Sequence, residues 1–215
     1  MTELLVFDWN GTVLADTSVV VAAANAQIEY AGGTPLGREE MIETFSFPVI
    51  EFLLKSGCDP ERLKDAKFAD VFHDSYQKLA AKCRTRRGAR EVLEYAQGKG
   101  IDSMILSNAI ESEISNHLGR LNLSHHFSRV LAHKNGYDCS YGNTKIGWMR
   151  QYFEESGIDP SLSLIVGDSP EDIGIGKTLG MRTVGITDGY YPTYQLREAE
   201  PDHLITNLGG LVNIL

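Results

Sequence analysis

Polar residues that could do chemistry come directly after three short apolar segments of this 215-residue chain. They are Asp8, the pair Ser107-Asn108, and Asp168. If the apolar segments are parallel strands, their carboxyl ends meet along one sheet edge, where ligands of open α/β sheets bind. Carboxylates gathered at one place must be neutralised by protonation or by a cation. The pattern therefore predicts a site that combines a cation with an anionic substrate.

Four further residues extend this candidate site. Asn10 and Thr12 lie in the turn after Asp8, Lys145 stands at the start of a predicted helix, and Asp172 follows Asp168 by four residues. Each has an ordinary alternative role: a turn residue, a solvated helix-start lysine, or an acid that complements a helix dipole. Magnesium is the cation we expect, because it prefers hard oxygen ligands and retains several waters. Asp8, Asp168 and the backbone carbonyl of Asn10 would bind it, with Asp172 acting through water.

The elements that position these residues alternate between strand and helix from Gly88 onwards. Helices are predicted at 89–97, 111–121, 144–155 and 170–179, and strands at 4–7, 101–106, 127–131, 163–166 and 181–186. Strands separated by helices indicate parallel βαβ units. The predicted fold class is α/β, with a Rossmann-like doubly wound parallel sheet as its core.

Residues 15–85 have a different pattern, with apolar residues at helical spacing and no convincing strand. Helices are predicted at 19–30, 38–44, 48–55 and, as one long helix, 61–82. We therefore predict a Rossmann-like core domain formed by residues 1–14 and 86–215, and a small all-helical cap domain formed by residues 15–85, inserted after the first strand.

Composition narrows the functional class. The chain is 42% hydrophobic and 23% charged, with a formal net charge of −9. This negative charge argues against nucleic acid as the main partner, because phosphate contacts need a basic surface. No apolar segment approaches a membrane span, and we expect no signal peptide, because the first residues enter a strand without a basic segment and cleavage site. Three well-separated cysteines support neither disulfides nor a thiolate zinc site. We expect a cytoplasmic protein that binds a small anionic metabolite.

Taken together, these residues resemble the four motifs of the haloacid dehalogenase (HAD) superfamily. Its motifs are D-x-D-x-T, a Ser or Thr at a strand end, a Lys, and G-D-x-x-x-D. Asp8, Ser107, Lys145 and Asp168 stand in the corresponding places. About one hundred residues separate the first two motifs, which is similar to the phosphoglycolate phosphatase-like and β-phosphoglucomutase-like members with a helical cap.

The resemblance implies a Mg²⁺-dependent phosphatase that acts on a small phosphorylated metabolite. Asp8 would attack phosphorus and form an aspartyl-phosphate, while Mg²⁺ and Lys145 neutralise the transferring oxygens. Ser107 and Thr12, with Asn108 beside them and backbone N–H groups, would hold the phosphate. A residue group at 45–47, between two cap helices, is a candidate specificity loop.

Asn10 departs from the family pattern. The family's phosphatases have a second Asp at this place, which protonates the leaving group and then activates water. An amide can do neither, so turnover should be slower. Asn10 could be natural with attenuated activity, an introduced trap of the intermediate, or a labile Asn-Gly pair that deamidates to Asp. It could also signal another function.

Two other functions are compatible with these residues. One is a phosphometabolite-binding protein that has lost catalysis. The other is carbon–phosphorus cleavage, since phosphonoacetaldehyde hydrolase resembles this segment, with Trp after the nucleophile; it needs a cap lysine, for which Lys55 is a candidate. A Gly-rich segment at 174–180 looks like a phosphate loop, but it lacks the Walker pattern and is better explained as helix. A basic run, 82–90, is predicted to be a solvated hinge from which one arginine could face the substrate.

Overall fold

Six parallel strands form one sheet in the computed structural model, which describes residues 2–45, 49–134 and 145–215. The strands are β1 (Leu4–Phe7), β2 (Asp102–Ile110), β3 (Arg129–His133), β4 (Ser163–Gly167), β5 (Arg182–Ile186) and β6 (His203–Ile205). Their order across the sheet is β3-β2-β1-β4-β5-β6, and every neighbouring pair is parallel. The predicted α/β fold class with a doubly wound parallel sheet is confirmed.

The chain divides into two compact units. The first, here called the core unit, runs through Ala15 and resumes at Arg84; the second, the helical unit, is Asp16–Cys83. Within the core unit the outgoing and returning segments pair, because Leu14 forms an antiparallel bridge with Thr85 and the N–H of Ala15 donates to the carbonyl of Arg84. The chain therefore leaves and re-enters the core unit through two adjacent segments.

Nine α-helices lie in the described residues. The helical unit contains α1 (Thr17–Tyr30), α2 (Arg38–Thr44), α3 (Val49–Lys55) and α4 (Phe68–Ala80). The core unit contains α5 (Ala89–Gly98), α6 (Glu111–Leu121), α7 (Lys145–Ser156), α8 (Pro170–Leu179) and α9 (Thr193–Glu198). None of them is long and apolar enough to cross a membrane.

The centre of the sheet explains why β1 is uniformly apolar. Its four side chains are fully buried, as expected for a strand with another strand on each side and helices on both faces. Leu4 and Val6 pack in one apolar cluster with Met104, Ile165 and, from α7, Met149. This packing fixes the carboxyl end of β1, where the first candidate residue lies.

The helical unit has its own apolar cluster, which includes Ile28, Met41 and Phe52. The prediction of one helix over 61–82 is wrong. The chain forms a short 3₁₀ turn at Arg62–Lys64, becomes extended at Asp65, and enters α4 only at Phe68. The Asp65 carboxylate accepts hydrogen bonds from the N–H of Lys67 and the hydroxyl of Tyr30, at 2.9 and 2.6 Å. Such side-chain bonds compete with helical ones.

Other boundaries differ at the sheet edges. β2 continues to Ile110 instead of ending at Leu106, with a shift of register against β3 between these two residues. Ser107 and Asn108 therefore lie inside an irregular strand end. α9 and β6, which are only 6 and 3 residues long, were not predicted. Of the candidate specificity loop, only Phe45 lies within the described residues, where its ring packs edge-on against Phe52.

Candidate active site

Asp8 lies at the carboxyl end of the central strand. Its N–H donates to the carbonyl of Val166 in β4 at 2.9 Å, which continues the pairing of β1 with β4 by one residue. The residue is buried, with 8% of its surface exposed. A carboxylate at this depth needs a compensating charge, because burial disfavours its ionised form.

Lys145, the first residue of α7, supplies such a charge. Its Nζ donates to Oδ1 of Asp8 at 2.8 Å and to Oδ1 of Asp172 at 2.9 Å, and only 3% of its surface is exposed. The three residues are far apart in sequence but form one buried ionic cluster. The alternative of a solvated helix-start lysine is wrong for Lys145.

Asp172 has two structural roles at once. Its Oδ1 accepts from Lys145, while its Oδ2 accepts from the hydroxyl of Ser169 at 2.7 Å. The N–H of Asp172 donates to the Ser169 hydroxyl, and the N–H of Ser169 donates to Oδ2 of Asp172, so that the two residues form a capping box at the start of α8. The helix-start role considered from sequence and the place in the carboxylate cluster are therefore both present.

Asp168 is held by two loops. Its Oδ1 accepts from the hydroxyl of Thr12 at 2.7 Å, and its Oδ2 accepts from the N–H of Tyr190 at 2.6 Å. Gly11 and Gly189 line this carboxylate closely, since a Cβ on either would lie 2.5 Å or less from an Asp168 oxygen. Gly11 also has a positive φ of 72°. Both positions need glycine for the loops to approach the carboxylate.

Burial and like charges perturb the ionisation of this cluster. Burial raises the pKa of Asp8 well above its usual range; Lys145 offsets this in part, and the other two carboxylates add to it. Burial also raises the pKa of Asp168 to about 6. For Lys145, burial opposes the ammonium form, but the attraction of Asp172 and Asp8 outweighs it and raises its pKa. One lysine does not fully compensate three buried carboxylates.

The cluster fits a divalent cation. Asp8, Asp168 and Asp172 each offer a carboxylate oxygen, and these oxygens lie within 4.8 Å of one another. All three side chains are buried, and oxygen donors of this kind suit Mg²⁺. A dication would relieve the unfavourable ionisation that burial causes. The residues present therefore fit the metal that the sequence analysis expects.

Three other predicted residues lie on the same edge. Ser107 is buried, and its Oγ accepts from the N–H of Ala109 at 3.1 Å. Asn108 is exposed and donates from Nδ2 to Oε2 of Glu171 at 3.1 Å. Asn10 is half-buried in the turn after β1, where it forms a bridge with Leu14. Their roles toward a phosphate, and that of Thr12, stay predictions.

Sequence reasoning missed the loop after β5. It contributes the Tyr190 N–H to Asp168, and it is fastened by Arg86, whose guanidinium donates to the carbonyls of Gly11 and Thr187 at 2.6 Å each. Arg86 belongs to the basic run predicted as a solvated hinge, but it holds the two loops that surround Asp168. The Asp188-Gly189 turn signal directly after a strand could have pointed to this loop.

Two sequence features stay outside the cluster. Gly174 and Gly176 lie within α8, so the phosphate-loop alternative for 174–180 is wrong and the helix interpretation is confirmed. Lys55 is the exposed last residue of α3 in the helical unit. A Schiff-base lysine is typically activated by desolvation or by a neighbouring cation, and exposure gives Lys55 no desolvation.

Comparison with known proteins identifies the family. The model of the haloacid dehalogenase-like hydrolase family matches residues 5–186. The chain therefore belongs to the haloacid dehalogenase-like hydrolases, and the resemblance drawn from its motifs is confirmed.

Relatives match over nearly the whole chain. The phosphoglycolate phosphatase of Pseudomonas putida is 22% identical over 218 residues, covering 99% of this chain and 79% of that protein. The phosphoglycolate phosphatase of Haemophilus influenzae is 25% identical, covering 99% and 98%. A crystal structure of a predicted phosphoglycolate phosphatase from Haemophilus somnus superposes with a TM-score of 0.81 at 18% identity, covering 99% and 97%. This structural likeness shows the fold.

Proposed function

We propose that the protein is a Mg²⁺-dependent phosphatase that hydrolyses a small phosphorylated metabolite through an aspartyl-phosphate on Asp8. The observation that carries the proposal is the buried cluster in which Lys145 bonds both Asp8 and Asp172 beside Asp168. The named activity of the phosphoglycolate phosphatases similar to this chain supports the same reaction class. A cytoplasmic location, and the absence of nucleic-acid and membrane partners, stay predictions.

The first chemical step is assigned to Asp8. Its carboxylate oxygen forms a bond to phosphorus as the bond from phosphorus to the leaving oxygen breaks, and the departing alkoxide takes up a proton. Lys145 stabilises negative charge on the transferring group and favours the ionised form of Asp8, offsetting part of the rise in pKa that burial causes. Asp8, Asp168 and the Asn10 carbonyl would hold Mg²⁺, with Asp172 acting through water, and the ion would supply further positive charge to the phosphate oxygens.

The second step is hydrolysis of the aspartyl-phosphate by water, which regenerates Asp8 and releases phosphate. In the family's phosphatases the Asp at the place of Asn10 serves both proton transfers. Here the leaving group must obtain its proton from solvent, and water must attack without that base. Both steps should therefore be slow.

The remaining candidate residues receive supporting roles. Ser107, Asn108 and Thr12 are proposed to bind or position the phosphate, and the helical unit is proposed to act as the cap that excludes bulk water. For Thr12 the hydrogen bond to Asp168 favours a positioning role, because its hydroxyl proton is committed to a proposed metal ligand.

Phosphate release from a panel of phosphomonoesters tests the proposal. We expect phosphate release with Mg²⁺ and loss of that release when EDTA is added. Restoring Mg²⁺ should bring the release back. Calorimetric titration with Mg²⁺ and with the same esters is run in parallel. Binding without release over long incubation would instead support a phosphometabolite-binding protein. Absence of both binding and release would overturn the proposed function.

Thr12→Val should weaken Mg²⁺ binding by about 10- to 100-fold, because the variant keeps the shape of the side chain but leaves Asp168 without its hydroxyl donor. Calorimetric titration measures the change directly. Thr178→Val is the matched control, since Thr178 is exposed and its hydroxyl donates to the helix carbonyl of Gly174. Equal affinities of both variants for Mg²⁺ would contradict the role assigned to Thr12.

A further inference from the structure

Glu171 is a fourth acid at the site, and the cluster described above does not use it. It lies in the first turn of α8, next to Asp172, and is half-buried. Its Oε2 accepts a hydrogen bond from Nδ2 of Asn108 at 3.1 Å. Asn108 belongs to β2 and α8 follows β4, and these two strands flank β1 on either side. The Glu171–Asn108 pair therefore connects the two strand ends that border Asp8.

The charge of Glu171 reaches the catalytic cluster. Burial opposes the ammonium form of Lys145, yet Asp172, Asp8 and then Glu171 raise its pKa. Burial raises the pKa of Tyr191 in the loop after β5, and the negative charge of Glu171 raises it further. Glu171 thus lies within electrostatic range of residues on two sides of the cluster.

The charge of Glu171 should affect which charged groups the substrate can carry. Lys145 and a bound dication would together neutralise the three buried aspartates, and the phosphate would then face this balanced group. Glu171 and its neutral hydrogen-bond partner Asn108 are called the rim of the site here. Glu171 adds one negative charge at this rim. A carboxylate on the substrate near this rim would be repelled, and an ammonium group would be attracted.

On this basis, and resting on the proposed phosphatase function, we propose that Glu171, held by Asn108, selects phosphomonoesters whose leaving group is uncharged or carries an ammonium group, and disfavours those that carry a carboxylate. Glu171 is a specificity residue that acts on the part of the substrate beyond the phosphate. Phosphoglycolate carries a carboxylate, so this preference would differ from the activity named for the phosphoglycolate phosphatases similar to this chain.

The test uses three esters with the same two-carbon skeleton: phosphoethanolamine, 2-hydroxyethyl phosphate and 2-phosphoglycolate, which end in an ammonium, a hydroxyl and a carboxylate. We expect kcat/KM to fall in that order. Esters that turn over too slowly are measured as competitive inhibitors of the best ester in the panel, with the same expected order. Glu171 is an acid in the first turn of α8, where negative charge stabilises the helix, so a substitution there also affects the helix. The readout is therefore the ratio of kcat/KM between substrates, which a general loss of activity does not change.

Glu171→Gln should reduce the preference for phosphoethanolamine over 2-phosphoglycolate about tenfold, because it removes both the attraction of the ammonium and the repulsion of the carboxylate, each worth about threefold at a partly exposed site. Asn108→Asp adds a negative charge at the same place and should increase the preference for phosphoethanolamine over 2-phosphoglycolate. Glu154→Gln, on an exposed position of α7, is the matched control and should leave the ratio unchanged.

The outcomes separate the two proposals. An order that favours 2-phosphoglycolate, or a ratio that Glu171→Gln does not change, overturns the selectivity while the phosphatase function stands. Absence of phosphate release from the whole panel, with no binding of any ester, overturns the phosphatase function and the selectivity with it.

Discussion

Replacing Asp8 by Ala is expected to reduce phosphate release to the rate measured without enzyme. Asp8 is the only group of the cluster assigned to form a bond with phosphorus, and a methyl group cannot attack it. Removing a nucleophile that works within a set of catalytic groups typically costs as much as removing the whole set, on the order of 10⁶-fold in kcat. Initial rates on the best ester of the panel measure the loss.

The same substitution should leave the fold intact. Burial raises the pKa of Asp8 because its ionised form is unfavourable there, so removing the carboxylate relieves a cost of the native state. Lys145 keeps its bond to Asp172. Thermal unfolding should therefore show Asp8→Ala within a few degrees of the parent protein, which separates lost chemistry from lost structure. Asp70→Ala, on an exposed position of α4, serves as the matched control.

A covalent intermediate gives this prediction a second readout. Acid quenching during turnover of a radiolabelled ester should leave phosphate on the parent protein, and hydroxylamine should release it as expected for an acyl phosphate. Asp8→Ala should carry no label. Retained turnover, or label that persists in the variant, would refute the assignment of Asp8 as nucleophile.

The parts of the site that sequence could predict are those with a fixed residue type at a fixed place. Asp8 and Asp168 each follow a run of buried residues, so the strand pattern alone brings them to one edge of the sheet. Lys145 is different. It lies 137 residues from Asp8, and only the resemblance to a family motif, not the local pattern, distinguished it from an ordinary helix-start lysine.

Contacts made through backbone atoms could not be predicted in the same way. Arg86 bonds the carbonyls of Gly11 and Thr187, and Asp168 accepts from the N–H of Tyr190. Any residue type supplies a carbonyl, and nearly any supplies an N–H, so the partners leave no signature in sequence. The Glu171–Asn108 bond is hidden for a related reason, since it joins two polar residues whose separate roles, a helix-start acid and a strand-end amide, already explain their presence.

Local competition accounts for the errors in the fold. The apolar spacing over 61–82 was compatible with one helix, but Asp65 satisfies the Lys67 N–H with its side chain and so begins a new helix after it. β6 has three residues, too few for a periodic pattern. Its pairing with β5 depends on tertiary contacts.

Asn10→Asp is expected to accelerate phosphate release by about 10²- to 10⁴-fold, the range typical of a positioned general acid–base group. The substitution is nearly isosteric and places a carboxyl group two residues after Asp8, in the half-buried turn. That carboxyl can protonate the leaving oxygen and then accept a proton from the attacking water. Asn116→Asp, which adds the same charge on the exposed face of α6, should not accelerate release.

Formation and hydrolysis of the aspartyl-phosphate should respond differently to Asn10→Asp. If the amide of Asn10 mainly slows hydrolysis of the intermediate, the parent protein will release a burst of alcohol followed by slow phosphate release, and Asn10→Asp will remove the burst. Because Asn10 precedes Gly11, intact-mass measurement must accompany each assay, since deamidation during storage would create the faster form. A parent protein as fast as Asn10→Asp, with its mass unchanged, would show that another group transfers the proton and that Asn10 does not limit turnover.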